Sequence, residues 1–265
     1  MTAEQHLAQA RSLAARSGYT ITFDLQCRPA NAAPGDLFGP GAPPATQLFD
    51  NFYYVGMNSV GAYVIETSDG LILIDGLNSE EDARQYIIPG MEALGLDPSQ
   101  IKYVILTHGH GDHFGGVKFI QETYGARVIA SEADWELMSR PFTPRPGSNR
   151  PPPRWGPPPT RDMVATDGQT LTLGDATVTL VITPGHTPGT LSLVIPVTDR
   201  GQPHALAMWG GTAIPDNPEI LRQYVASFTH FEEFTKPAGV DIILSNHPFV
   251  DGSLFKMEAL RANPD

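Results

Sequence analysis

The chain carries one cysteine, Cys27, in 265 residues, so no internal disulfide can hold it and its cysteine usage does not mark a redox compartment. It also lacks any apolar run long enough to span a membrane, and residues 1–17 lack the continuous apolar core of a secretory signal. The expected protein is soluble, either cytoplasmic or periplasmic with a leader already removed. Basic residues are scarce as well: 17 Lys and Arg stand against 29 Asp and Glu, for a net charge of -12. That balance disfavours phosphate backbones and anionic lipid, so neither nucleic acid nor a membrane is an expected partner, and a small-molecule substrate is. No G-x-S-x-G motif offers a serine nucleophile, and no fixed-period repeat suggests a solenoid. Oligomeric state has no signature.

What remains is 41% hydrophobic and 17% charged residues, the composition of a globular chain with one substantial core. Leu7, Ala10, Leu13 and Ala14 fall on one stripe of a short N-terminal helix, expected to pack on the body. Residues 28–46, rich in Pro, Gly and Ala, read as an extended arm. The domain boundaries are therefore 1–46 for helix and arm and 47–265 for the main domain.

Within that domain, strand patterns fall at residues 52–55, 62–66 and 71–74, with Ser68-Asp69-Gly70 as a hairpin turn. Ser79 followed by Glu80, Glu81 and Asp82 starts a helix to about residue 94, with Pro89 as a kink. A buried strand at 101–107 leads into Thr107-His108-Gly109-His110-Gly111-Asp112-His113-Phe114-Gly115-Gly116, after which a helix runs to about residue 124. Further strands are expected at 127–130, 163–165, 170–173, 177–182, 191–196, 205–209 and 240–244, with helices at about 131–138 and 218–235. Nine prolines between residues 141 and 159 exclude regular structure there. Two readings stay open for that insertion, a polyproline connector or a lid that carries Trp155 beside a cleft.

The chemistry concentrates at strand ends. Three histidines and an aspartate within residues 108–113 are a donor set suited to zinc, combining imidazole nitrogens with one carboxylate. His186, in Thr183-Pro184-Gly185-His186-Thr187-Pro188-Gly189, and His247, in Ser245-Asn246-His247-Pro248, follow two other strands. His6, His204 and His230 have no such context and read as surface or packing residues.

These residues resemble the metallo-β-lactamase-fold hydrolases. The resemblance covers residues 52–250 through Leu73-Ile74-Asp75-Gly76, the His-x-His-x-Asp-His loop, the His186 turn and the late His247, and the spacing is most like the third subclass of class B metallo-β-lactamases. It implies an α/β fold, a four-layer αββα sandwich. It also implies two zinc ions, one on His108, His110 and His186 and another on Asp112, His113 and His247, with Asp75 as a buried carboxylate behind them. The implied activity is zinc-dependent hydrolysis in which metal-bound hydroxide attacks the carbonyl of a β-lactam, with Asp112 and His113 as catalytic residues.

The chain departs from that family at Met208-Trp209-Gly210-Gly211-Thr212-Ala213. Many superfamily hydrolases place a metal-bridging aspartate here, and the lactamase subclass places serines that hold the substrate carboxylate. Gly210, Gly211 and Ala213 stand at those positions. The alternative activity is thus hydrolysis of another lactone, ester or amide. Glycines at this point leave room for a bulky substrate, with Trp155, Trp209 and Phe249 as apolar walls and Thr212 as a replacement donor. A di-iron redox module of the same fold would need a carboxylate-richer site and a flavin partner.

Overall fold

Short apolar runs separated by turn residues build the first sheet. The structure is a computed structural model that describes residues 2–17, 23, 27, 41–141, 154–213 and 217–262. In it β1 (Thr46–Phe49), β2 (Phe52–Tyr54), β3 (Tyr63–Thr67) and β4 (Gly70–Ile74) form an antiparallel meander. Strands β5 (Ile101–Ile105), β6 (Arg127–Ser131) and β7 (Met163–Ala165) then add in parallel, and the seven lie in sequence order. Parallel neighbours need crossover connections, and helices supply the first two.

The first crossover helix, α2, begins at Glu80–Asp82, passes through a π-helical turn at Ala83–Ile87 and ends as Ile88–Ala93. The Ser79 hydroxyl caps it by accepting from Asp82 N at 3.1 Å, as the Ser-Glu-Glu-Asp run implies. The wide turn sits just ahead of Pro89, which has no N–H to give and whose ring crowds the preceding turn. Next come a four-residue turn, α3 (Gly111–Phe114), then α4 (Val117–Tyr124) and α5 (Glu132–Met138). Helix α3 lies inside the stretch read as a loop.

The second sheet holds β8 (Gln169–Leu173), β9 (Ala176–Ile182), β10 (Leu191–Asp199), β11 (Gln202–Trp209) and β12 (Ile242–Ser245) in the order β12-β11-β10-β9-β8. All pairs are antiparallel except β11–β12, which α6 (Pro218–Thr235) joins as a crossover. Strands β10 and β11 are longer than the sequence pattern implies. Their hairpin continues to Arg200 and Gly201, both at positive φ, whose N–H groups donate to the Asp50 carboxylate. Strand β1 and the final helix α7 (Ser253–Ala262) had no expectation set for them.

Side-chain alternation turns these sheets into four layers. Ile65, Ile72, Ile74, Ile105 and Ile129 of the first sheet meet Leu180, Leu193, Ile195, Leu206 and Met208 of the second. On the first sheet's other face Leu71, Leu73, Val104 and Val128 pack against Ile87, Met91, Val117, Ile120 and Trp135 of the helices. On the second sheet's outer face Val181, Val194 and Ala207 pack under Phe231 of α6. Strands buried on both faces read as continuous apolar runs, which is why Leu71 to Ile74 shows no polar alternation. The fold is the expected αββα sandwich.

Helix α1 (Ala3–Ser17) forms where its periodicity places it, but not against the body. Leu7 is 42% and Leu13 49% exposed, and only Ala10 and Ala14 are half-buried. Two leucines among charged and polar neighbours give too narrow a stripe to hold a helix down. Residues 28–40 and 142–153, parts of the arm and of the proline-rich insertion, lie outside the described residues. Among the described residues no helix is long and apolar enough to cross a membrane.

The interface between the sheets is one of two large buried cores. Ile105 is fully buried there, and Ile105→Ala should lower the unfolding free energy by about 2–5 kcal/mol in urea titration, with an unchanged slope.

Candidate metal centre

Three segments that leave strands on one rim of the sandwich bring the histidines together. The stretch after β5 carries His108, His110, Asp112 and His113; the turn after β9 carries His186; the segment after β12 carries His247. Leu191 N donates to Thr107 O at 2.7 Å, which ties the start of β10 to the first of these segments. The stretch after β4 supplies Asp75, fully buried and in the left-handed region at φ 60°, a conformation short polar residues tolerate.

The rings of His108, His113, His186 and His247 each have a hydrogen bond at the rear that fixes which nitrogen carries the proton. The Nδ1–H of His108 donates to Gly210 O at 2.7 Å, that of His186 to Ala213 O at 3.3 Å and that of His247 to Ser59 O at 2.6 Å. His113 Nδ1–H donates to Asp75 Oδ2 at 2.7 Å. A carbonyl or carboxylate only accepts, so every Nε2 of these neutral rings presents a lone pair. Those lone pairs face one another. His186 Nε2 is 3.1 Å from His108 Nε2 and 3.1 Å from His110 Nδ1, while His113 Nε2 is 3.3 Å from His247 Nε2.

Two groups result. His108, His110 and His186 form the first. Asp112 and His113 can be completed by His108 on distance alone, yet His247 Nε2 also lies 3.9 Å from Asp112 Oδ2, with His113 Nε2 at 3.6 Å. His108 Nε2 already faces His186, so His247 is the better third member. Lone pairs at such separations repel unless a cation lies between them, and neutral imidazoles with a single carboxylate are zinc donors. The residues therefore fit the metal.

Electrostatics disfavours protonation at three of the rings. Burial, then the charges of neighbouring rings, holds His108 and His247 below the ordinary histidine value, and the same causes push His186 down to about 3. His113 moves the other way. Burial opposes its charge, but the carboxylates of Asp75 and Asp112 outweigh that. For Asp112 burial is again the opposing influence, and His113, His247 and His110 bring its carboxyl below the usual range.

Behind the rings, Asp75 accepts from Thr107 N at 2.8 Å and Thr107 Oγ1 at 2.7 Å as well as from His113. A second carboxylate escaped the sequence reading. Asp134 is buried and accepts from Gly109 N at 2.7 Å, Thr187 Oγ1 at 2.7 Å and Gly189 N at 3.0 Å. It thus clamps the segment between His108 and His110 to the turn that carries His186. Its only sequence signal is Ser131 three residues earlier, whose hydroxyl accepts from Asp134 N and marks a helix start, not an inward carboxylate.

The expected substrate contacts divide. Trp155 lies over Gly111, where an added Cβ would come within 2.1 Å of the indole, and Gly156 N donates to Asn78 O at 2.7 Å. Phe249 sits beside His247 with ring centroids 5.3 Å apart, and Thr212 is half-buried next to Gly211. Trp209 is not a wall of the site. Alternation in β11 sends Met208 inward and Trp209 to the outer face, where it stacks on Phe228 at 4.0 Å and donates to the Tyr224 hydroxyl. Nor do the glycines leave open space: a Cβ at Gly210 would meet Leu191 O at 1.8 Å, and one at Gly211 would meet His186 Cβ at 2.4 Å. They admit the chain's own backbone and the His186 ring. With this backbone no bridging carboxylate can stand at Gly210. His204 and His230 pair with Asp241 and Asp167 on the surface, and His6 lies on exposed α1.

The model of the metallo-beta-lactamase superfamily matches residues 55–200, and the chain belongs to that superfamily. Among solved structures it is similar to BJP-1, a subclass B3 metallo-beta-lactamase of Bradyrhizobium japonicum, with a TM-score of 0.68 and 31% identity, covering 84% of this chain and 83% of that one. Among sequences it is similar to YobT of Bacillus subtilis, 29% identical over 145 residues, which are 54% of this chain and 59% of YobT. It is also similar to the N-acyl homoserine lactonase AttM of Azorhizobium caulinodans, 27% identical over 176 residues, 60% of this chain and 62% of AttM. The chain spans less than two thirds of either relative.

Two outcomes follow from the buried groups. His108, His186 and His247 resist protonation in the fold, so on acidification the unfolded chain takes up protons that the folded one refuses, and stability present above the ordinary value of 6.5 is lost below it. His113, raised, contributes the opposite sign and offsets one of the three. The melting temperature of the chelated protein should therefore fall between about pH 6.5 and about pH 5 in thermal scans. Asp134→Asn, whose NH2 must take the place of one carboxylate oxygen and so face at least one of these donors, should cost about 1–3 kcal/mol in urea unfolding.

Proposed function

We propose that the protein is a hydrolase holding two zinc ions, one at His108, His110 and His186 and a second at Asp112, His113 and His247, and that it opens β-lactam rings. The observation that carries the metal reading is the set of four hydrogen bonds at the back of His108, His113, His186 and His247, which leaves their Nε2 lone pairs converging. The likeness to BJP-1 supports the β-lactam.

Zinc bound at these donors supplies a Lewis acid that polarises a carbonyl and brings water to reactivity at neutral pH. The chain's residues do the rest. Asp112, held as a carboxylate by the surrounding imidazoles, accepts a hydrogen bond from the attacking water and sets its direction. His113, tied to Asp75, cannot turn away from Asp112. Trp155 over Gly111 and Phe249 beside His247 offer apolar surface that narrows solvent access to the rim.

A second reading has an observation of its own. The glycines where a substrate-binding serine is expected carry no side-chain donor, and the likeness to AttM points to a lactone as substrate. A chromogenic cephalosporin assay, run beside a panel of lactones and aryl esters with and without chelator, separates the two. Cephalosporin turnover abolished by chelator and restored by zinc is expected. Turnover confined to lactones or esters would select the second reading, and inactivity on every substrate would sink both. In His110→Ala, zinc content and turnover should fall together, turnover by about a hundredfold or more.

A further inference from the structure

One side chain behind the site touches the supports of both ligand groups. Asn246 is fully buried at the end of β12. Its Nδ2 donates to Gly210 O at 2.8 Å and to Thr107 Oγ1 at 3.1 Å. Gly210 O is the acceptor that fixes His108, and Thr107 Oγ1 donates to Asp75 Oδ2, the acceptor that fixes His113. An unbroken buried path therefore runs from His108 Nδ1 through Gly210 O, Asn246 Nδ2, Thr107 Oγ1 and Asp75 Oδ2 to His113 Nδ1.

The chemistry of this path permits one orientation of the amide. Gly210 O can only accept, and the Thr107 hydroxyl has given its proton to Asp75, so both neighbours require a donor and only the NH2 end satisfies them. The consequence is that Asn246 Oδ1 is buried with no hydrogen-bond partner among the described residues. A buried acceptor left unpaired is costly, and an apolar side chain of similar size would avoid that cost. The two N–H bonds are what the amide contributes in return.

We propose that Asn246 is a positioning residue shared by both ligand groups: by fixing the Gly210 carbonyl and the Thr107 hydroxyl it sets the ring planes of His108 and His113 at once. The proposal rests on the reading that these groups bind two metal ions. A role confined to placing His247, which Asn246 precedes in the sequence, would touch the second group and leave the first unchanged.

Asn246→Leu, which keeps the volume and removes both donors, tests this, with Asn246→Ser as the smaller variant should the leucine prevent folding. Apo-protein is titrated with zinc against a competing chelator, and the imidazole N–H resonances of the apo-protein are recorded. The wild type should bind two zinc ions, and in either variant both affinities should fall, by about 10–100-fold, with faster exchange of the His108 and His113 Nδ1–H protons. Wild-type affinity at both sites, or a loss confined to the second, overturns the proposal. If the wild type binds no zinc, it is the functional reading that fails, and unchanged His108 and His113 resonances in the variants then refute the shared positioning by themselves.

Discussion

Two imidazole nitrogens that both present lone pairs at 3.1 Å repel each other, and a protein must spend stability to hold them there. In this chain the arrangement is made twice, once among His108, His110 and His186 and again between His113 and His247. A ring would relieve the repulsion by turning, and His108, His113, His186 and His247 are tethered from behind by acceptors that cannot move: a backbone carbonyl for three of them and the Asp75 carboxylate for His113. The repulsion is the stored electrostatic complement of a cation.

The rest of the sandwich can be understood as the frame for those tethers. Gly210 and Ala213 follow β11, Ser59 lies between β2 and β3, and Asp75 follows β4, so acceptors from both sheets converge on one rim. Buried apolar contacts between the sheets fix the spacing of that rim, and Asp134 joins the two ligand segments directly. The glycines at 210 and 211 belong to the same frame, because any side chain there would strike Leu191 or the His186 ring. The absence of a bridging carboxylate is thus a consequence of close packing and not a gap awaiting substrate.

The sequence made the histidine cluster legible because its spacing is local: His108, His110, Asp112 and His113 share one short segment, and His186 and His247 each close a strand pattern. The layers were legible for the same reason, since apolar runs such as Leu71 to Ile74 record burial on both faces. What escaped depends on contacts distant in the chain. Asp134 reads as an acidic first-turn residue until Gly109 and Thr187 meet it, and Asn246 reads as a turn residue until Gly210 does. Trp209 was misplaced by strand parity, because one residue's shift along β11 exchanges the inner face for the outer one. Helix α1 was correct in its periodicity and wrong in its docking, since periodicity reports a stripe and not whether the stripe is wide enough to be covered.

The central claim is that these nitrogens are set for two metal ions, and diffraction at the zinc absorption edge from crystals of zinc-loaded protein measures it directly. Two anomalous peaks are expected. One lies about 2.0–2.1 Å from His108 Nε2, His110 Nδ1 and His186 Nε2, and the other lies at similar distances from His113 Nε2, His247 Nε2 and an Asp112 oxygen. Peaks elsewhere, or an imidazole turned away to donate its Nε2–H within the site, would contradict it.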